Sequence, residues 1–424
     1  MKEDVIYSAE NFEEYSKCTL CGNCRVVCPT FLAEKRESAS CRGRVNLIGG
    51  LIKDTQPITL SEKLEFDIGM CLNCMSCEYI CPAGVYASDF ILSAKADIFA
   101  KYSKMGLKSF FKNRIIFIKM MFFKFIVRKL KGLDRAAVLY RKSYPILTNK
   151  DKKIRAFFKP FMKYCGFNPE RILPFLEKRL DVKNLEIEKP LSSFKKRVIF
   201  FPGCTGRNIA SPTAEHIVNL LHKYGYEVIV FEKDYCCGAP AYYNGDLKTV
   251  NQNAEKITRY YNNFNETDAI LTMCGSCGNM LLNEYPKLGF NFKAPVLDVM
   301  EFLINEKNDL KVRYRNTSVT YHHSCHLLKG MKTGKNIVNE IKKVYGDNFK
   351  PLDEADVCCG GGGTFSYTYY ETAKKITSRK TDKIRKADVQ LTATGCMNCQ
   401  MRISEQSIVE NKKLNVIHTA ELFE

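Results

Sequence analysis

Two short stretches set cysteines shoulder to shoulder. EKDYCCGAP places Cys236 and Cys237 ahead of Gly238, and ADVCCGGGG places Cys358 and Cys359 ahead of Gly360. Thiolates are metal ligands or redox groups, yet neither use ordinarily calls for adjacent residues. Neighbours on an extended strand point to opposite faces. A tetrahedral zinc site spaces its cysteines two or more residues apart, and a disulfide between adjacent residues is badly strained. The pairs therefore need another explanation, and the remaining cysteines have to supply it.

They fall into a repeat. The first copy has Cys204, then Cys236, Cys237 and Gly238, then Cys274 and Cys277; the second has Cys325, then Cys358, Cys359 and Gly360, then Cys396 and Cys399. In both copies 35 residues separate the glycine from the C-x-x-C. Flanking sequence repeats as well, since PVLDVMEFL at 295–303 matches NVIHTAELF at 415–423. Agreement in spacing across ten cysteines is a very specific signal.

A different arrangement occupies the N-terminal part. CTLCGNCRVVCP and CLNCMSCEYICP both read C-x2-C-x2-C-x3-C-P, the bacterial dicluster ferredoxin run. Three cysteines at two-residue gaps wrap a short loop around three corners of a cubane. The fourth, before proline, turns away to the other cluster. By that logic Cys18, Cys21, Cys24 and Cys81 hold one [4Fe–4S] cluster, and Cys71, Cys74, Cys77 and Cys28 hold a second. A pair of zinc sites would have no use for the cross-over.

The elements that must position these sulfurs are legible in outline. RGRVNLIGGLIKD and SEKLEFDIGM, between the two runs, read as helices with apolar faces, so the ferredoxin unit is expected to be helical and not β-rich. Each C-terminal copy alternates strand and helix. KRVIFFPGC is an apolar strand ending at Cys204. SPTAEHIVNLLHKYG is a helix with Ser211 as N-cap, Pro212 in the first turn, and Ile217, Leu220, Leu221 and Tyr224 on one face. YEVIVFE is a strand, NAEKITRYYNNF a helix and AILTMC a strand. This order implies parallel α/β halves, where ligands collect at the carboxyl ends of strands. Cys204, Cys274, Cys325 and Cys396 all fall at such ends, so five cysteines per half can converge on one edge.

Composition sets the wider bounds. The chain has 424 residues, enough for two or three domains, and 20 cysteines. MKEDVIYSAENFEEYSK is acidic and lacks an apolar core, so export is not expected and a cytoplasmic, reducing setting is. The net charge of +19 is local: residues 101–200 carry 27 Lys/Arg against 7 Asp/Glu, and the rest of the chain is balanced. FFKNRIIFIKMMFFKFIVRKLKGL, residues 110–133, is interrupted by Lys119 and Lys124, so it is not expected to span a bilayer. It suits either a helix on an anionic membrane surface, peripheral to the inner face of the cell membrane, or a helix packed on the body with lysines reaching out to water. Its charges form no clean amphipathic stripe. No nucleic-acid-binding motif accompanies them, and no nucleic-acid partner is expected.

The C-terminal half resembles the cysteine-rich CCG-domain family, whose signature is C, about thirty residues, C-C-G, about thirty-five residues, C-x-x-C. Members include heterodisulfide reductase subunits and the iron–sulfur subunits of glycolate, lactate and glycerol-3-phosphate oxidases. A ferredoxin unit followed by two CCG copies is similar to the glycolate oxidase iron–sulfur subunit and to the D-type subunit of heterodisulfide reductase; the resemblance covers roughly 15–95 and 197–424. CHLLKG at 325–330 and CCGGGGTFS at 358–366 look most like the glycolate and lactate oxidase branch, whereas the full set of ten CCG cysteines is as in heterodisulfide reductases. The implied fold is α + α/β: a helical dicluster [4Fe–4S] ferredoxin domain over 1–100, a basic helical segment over 101–195, and CCG half-domains over 196–305 and 306–424. The resemblance also explains the adjacent pairs. In heterodisulfide reductase a complete CCG motif holds a noncubane [4Fe–4S] cluster with five cysteines, so neighbouring cysteines ligate different irons. Two cubanes and one or two further [4Fe–4S] clusters are therefore expected.

No flavin or nicotinamide fingerprint is present. Gly360–Gly363 follow a cysteine pair and make a weak phosphate loop. The expected function is an electron-transfer subunit, with a flavoprotein partner oxidising a 2-hydroxy acid and a quinone or another carrier, membrane-linked in some arrangements, taking the electrons. The alternative is a heterodisulfide reductase-like subunit reducing a disulfide at a noncubane cluster. His322, His323 and His326, around Cys325, are expected to pack or cap, with proton delivery as the functional alternative. His418 aligns with Asp298 in the repeat, which argues against a shared catalytic need. Cys41 and Cys165, outside every motif, are expected to be structural thiols.

Overall fold

The computed structural model describes residues 9–52, 61–105, 133–149, 154–164, 168–172, 176–182, 194–231, 235–264, 266–306 and 309–424. The basic stretch 110–133, all but its last residue, and Cys165 lie outside the described residues. Among the described residues no helix is long and apolar enough to cross a membrane.

The N-terminal unit is helical, as its sequence implies. RGRVNLIGGLI lies in the helix Cys41–Ile52, and SEKLEFDIG gives the helix Glu62–Gly69. Ser61 caps the latter, its hydroxyl accepting from the Leu64 N–H at 3.3 Å, and Glu62 and Glu65 sit in the first turn, where the helix dipole favours them. The long helix Ala87–Met105 lies across both. Val45, Ile48, Leu64, Ile68, Phe90, Ile91 and Ile98 form one buried core between them. Arg44 is also buried, donating to the Asp67 carbonyl at 2.6 Å and to the Thr30 hydroxyl at 3.2 Å.

Two parallel sheets follow. In the first, β1 (Lys196–Phe201), β2 (Tyr226–Val230), β3 (Ala269–Thr272) and β4 (Val296–Asp298) stand in the order β2-β1-β3-β4. In the second, β5 (Val319–Tyr321), β6 (Leu391–Thr394) and β7 (Val416–His418) stand in the order β5-β6-β7. All ladders are parallel, and β5, β6 and β7 repeat the arrangement of β1, β3 and β4. Only a parallel bridge between Val319 and Phe349 stands where β2 lies in the first copy. Thr272 and Thr394, the last residues of β3 and β6, are buried, and each strand delivers its C-x-x-C loop to the sheet edge.

One expectation needs correcting. Ser211 is not the N-cap of its helix but its first residue, because the helix runs Ser211–Lys223 with Ala210 as cap. The Ser211 hydroxyl donates instead to the Lys178 carbonyl at 2.5 Å. Pro212 does sit in the first turn, where its missing N–H costs nothing. Ile217, Leu220 and Leu221 are buried as expected, with Tyr224 at the C-cap half-buried.

The helical unit is seated on both halves through close backbone approach. Gly245, at φ +89°, lies against the backbone of the helix Ala87–Met105, where an added Cβ would stand 2.4 Å from the Lys95 carbonyl oxygen. Beside it the buried Lys95 ammonium donates to the Cys71 carbonyl at 2.7 Å, the Asn73 side chain at 2.8 Å and the Tyr243 carbonyl at 3.1 Å. On the other half Gly362, at φ +45°, would place a Cβ 2.3 Å from Leu72. The glycine run that read as a weak phosphate loop therefore packs tightly against the ferredoxin loop.

Gly245→Ala should lower stability by about 1–2 kcal/mol for the left-handed backbone and by about 1–3 kcal/mol more for the overlap with the helix. Gly289, at φ +85° with nothing near its Cβ direction, isolates the first term. Anaerobic denaturant titrations should show Gly245→Ala the more damaging of the two; equal losses would mean that the contact with Lys95 is loose.

Candidate metal centres

The two ferredoxin loops share a backbone device. In the first, Leu20 and Gly22 are left-handed (φ +54° and +88°); in the second, Asn73 and Met75 occupy the same places with φ +50° and +56°. Alternating left-handed residues curl a short loop around a centre and turn N–H groups inward. The Asn73 N–H points at the Cys71 sulfur at 3.4 Å. Left-handed Leu and Met are unfavourable conformations, of the kind that persists at functional sites.

Cys18, Cys21, Cys24 and Cys81 line one cavity, together with Cys41 and Cys77. Cys28 leaves its run because it is the extended N-cap of the helix Pro29–Glu34, which starts at the proline. It is buried, and it faces Cys77, as does Cys74. Cys21 is exposed while Cys28 and Cys74 are buried, so the first set lies toward solvent and the second inside.

In the CCG sets the two adjacent cysteines take different further partners. Cys236 meets Cys204, sulfur to sulfur at 3.9 Å, while Cys237 hydrogen-bonds both Cys236 and Cys277. In the second half Cys358 meets Cys325 and Cys359 meets Cys399. One pair thus spans the centre, reaching the strand-end cysteine with one sulfur and the C-x-x-C with the other. The glycine that follows is left-handed in both copies (Gly238 φ +82°, Gly360 φ +81°) and turns its N–H back onto the first sulfur, at 3.4 Å to Cys236 and 3.5 Å to Cys358.

Charge is arranged alike in the two halves. Hydrogen bonds from Cys236 and then Cys277 pull the Cys237 thiol down to about 6, and those from Cys358 and then Cys399 pull Cys359 well below its ordinary value. The donors Cys277 and Cys399 are pushed well up, chiefly by those same bonds. Lys380, buried beside Cys359 and Cys358, is pushed down to about 8 by burial against their opposing attraction.

The sets are also in contact with one another. Cys41 hydrogen-bonds both Cys24 and Cys77. Cys74 hydrogen-bonds Cys358, and Cys325 feels the charge of both. Cys274 and Cys396, on equivalent loops of the two halves, lie 3.6 Å apart, and the Gly275 N–H donates across to the Gly395 carbonyl at 3.2 Å. The predicted cysteines thus make contacts both within their sets and between them. The spacing gave no hint of Cys41 as a junction or of Cys74 beside Cys358, because both contacts join segments distant in sequence.

The histidines divide by role. His326 ties three parts together, its Nδ1 bonding Ser276 at 3.1 Å and its Nε2 the Asn73 carbonyl at 3.0 Å. His418 caps the turn after β7, accepting from the Ala420 N–H at 3.2 Å, as Asp298 caps the helix after β4 by accepting from Met300 and Glu301. The repeat alignment of these two thus reflects a shared capping task. His322 fits neither pattern: its Nδ1 bonds the Ala355 carbonyl at 3.0 Å, and its ring stands beside Cys359 and Cys399.

These groups suit iron–sulfur clusters on their own chemistry. The Cys204–Cys236 separation of 3.9 Å is far longer than a disulfide's ~2.05 Å, so these sulfurs are gathered without being bonded to one another. Every described cysteine is a free thiol. Burying so many thiolates side by side is costly unless cations sit among them.

Comparison with known proteins agrees. Residues 14–85 match the 4Fe-4S dicluster domain, and residues 198–282 and 319–404 match the cysteine-rich domain CCG. The chain is 26% identical to a probable glycolate oxidase iron-sulfur subunit of Bacillus subtilis, over 96% of this chain and 93% of that one. It is 30% identical to one subunit of a fumarate reductase (CoM/CoB) of Methanothermobacter marburgensis, over 53% of this chain and 46% of that one. It is 26% identical to lactate utilization protein A of Oceanobacillus iheyensis, over 53% of this chain and 96% of that one. With a dicluster domain ahead of two such repeats, the chain belongs to the CCG-domain iron–sulfur oxidoreductase subunits.

Proposed function

We propose that the chain is the electron-transfer subunit of a complex in which a flavoprotein partner oxidises a 2-hydroxy acid of the glycolate or lactate type and a quinone or another carrier receives the electrons. Its clusters, when bound, supply one-electron carriage at potentials set by ligands, hydrogen bonds and burial. Cys18, Cys21, Cys24 and Cys81 hold one cubane, and Cys71, Cys74, Cys77 and Cys28 the other. Cys204, Cys236, Cys237, Cys274 and Cys277 hold a third [4Fe–4S] cluster and Cys325, Cys358, Cys359, Cys396 and Cys399 a fourth, at least one of them noncubane.

The observation that carries this reading is the unbroken series of sulfurs. Cys24 leads through Cys41 to Cys77, Cys74 leads to Cys358, and Cys396 leads to Cys274. Four metal groups in mutual contact form a relay, which a purely structural metal protein has no need of. The likeness to a glycolate oxidase iron-sulfur subunit over nearly the full length of both chains supports the choice of partner.

A second reading, disulfide reduction at a CCG centre, draws on one further feature. A cavity between the helices Pro29–Glu34 and Tyr370–Ala387 reaches Cys358 and is lined by Lys375, Arg379 and Lys380. Lys375 and Arg379 there are paired with Glu34 and Glu354, and Lys380 is buried beside the sulfur. The second relative's name, which carries CoM/CoB, points the same way.

Anaerobically purified protein should contain about 16 irons, four for each of four centres. Iron near half that amount, with only cubane signals, would confine the clusters to the N-terminal unit. Cys359→Ala separates the two readings. In a reconstituted complex it should leave flavin reduction by the hydroxy acid intact while transfer to quinone or dye falls by at least about tenfold. If disulfide cleavage is lost and hydroxy-acid-driven transfer is untouched, the second reading holds. Unchanged rates in both assays would exclude the second CCG centre from either path.

A further inference from the structure

The two CCG halves are not chemically equivalent. Three residues before Cys204 stands Phe201; three residues before Cys325 stands His322. Phe201 is a core ring, packed edge-on to Tyr261 with centroids 6.1 Å apart. His322 is wholly buried, and its Nε2 has no hydrogen-bond partner. A ring nitrogen of His322, the Cys359 sulfur and the Cys399 sulfur all lie within 4.8 Å of one another.

A buried nitrogen without a partner costs on the order of 1–3 kcal/mol; His222 and His323 carry such nitrogens too, and what sets His322 apart is the pair of sulfurs beside its ring. The ring is also held for a purpose. Its Nδ1–H donates to the Ala355 carbonyl at 3.0 Å, which leaves the lone pair on Nε2. Its backbone N–H is fixed by the Ala393 carbonyl at 2.9 Å, continuing the ladder between β5 and β6. A carbonyl on one ring nitrogen with the other left open is how proteins orient a metal-binding imidazole.

We propose that the second CCG centre is a mixed thiolate–imidazole site, in which His322 Nε2 ligates the metal group held there by Cys359 and Cys399. The inference rests on the reading that this set of cysteines binds a cluster. It makes the two CCG centres electronically distinct. Imidazole is neutral where thiolate is charged, and such a ligand raises a cluster's potential. The second centre, which lies between the ferredoxin unit and the first CCG half, then becomes the point where an electron rests.

The test uses the full chain, purified anaerobically after growth with 15N-histidine, and pulsed EPR of the partly reduced protein. A nitrogen coupling that changes from the 14N to the 15N pattern on labelling is expected. His322→Phe, which copies the first half, should abolish it and lower one midpoint potential, leaving the others in place. His322→Cys, a donor that keeps the site filled, should retain the iron and also lower that potential. Should the Phe variant fail to fold, the labelled wild type and the Cys variant decide alone. Full iron without a histidine coupling, or potentials indifferent to both variants, overturns the imidazole ligand while sparing the four-centre reading. Iron at only the ferredoxin level overturns both.

Discussion

Sulfurs that carry negative charge must be brought side by side inside a protein, and the rest of this structure is organised around that. Thiolates in a dry interior repel one another and lose their hydration. The fold answers with fixed partial and full positive charges. Backbone N–H groups are turned inward by left-handed residues at Leu20, Gly22, Asn73 and Met75, and by Gly238 and Gly360 after each cysteine pair. Lys380 is buried beside Cys358 and Cys359, and Lys95 beside Cys71. Bound metal completes the balance, which links folding of these loops to cluster assembly.

The same constraint explains why the cysteine pair is adjacent. A C-x-x-C places two sulfurs on the same side of a turn. In the adjacent pair the two sulfurs touch each other and each takes a further partner, Cys236 reaching Cys204 and Cys237 reaching Cys277. One two-residue segment thereby links the strand-end cysteine to the C-x-x-C. The glycine next to it has to be glycine for two reasons in the second half: φ is +81°, and a Cβ would press on Ile376 and Thr377 at 3.1 Å.

Much of this was written in local sequence. Spacing alone placed the strand-end cysteines, the repeat and the ferredoxin runs, because each depends on residues a few positions apart or on exact recurrence. The helix at Ser211–Lys223 was legible from its apolar period, but its start was off by one residue because Ser211 spends its hydroxyl on Lys178. What stayed hidden depends on contacts between distant segments. Nothing near Cys41 announces that it lies between Cys24 and Cys77. Nothing near Gly362 shows that Leu72 will pack on it, so the run read as a feeble phosphate loop. His322 and His326 look alike in sequence, and only their partners separate them.

The placement of the four groups also constrains direction. Cys21 is exposed at the outer ferredoxin set, whereas the contacts between sets are made by buried sulfurs: Cys74 with Cys358, and Cys274 with Cys396. An electron passing between these sets changes partners at buried sulfurs, where reorganisation around the moving charge is small. The seating of the helical unit on both halves, through Gly245 against Lys95 and Gly362 against Leu72, keeps those sulfur contacts short. A dicluster unit on a loose tether could not hold Cys74 against Cys358; packing by glycine at two points makes the relay a property of the fold itself.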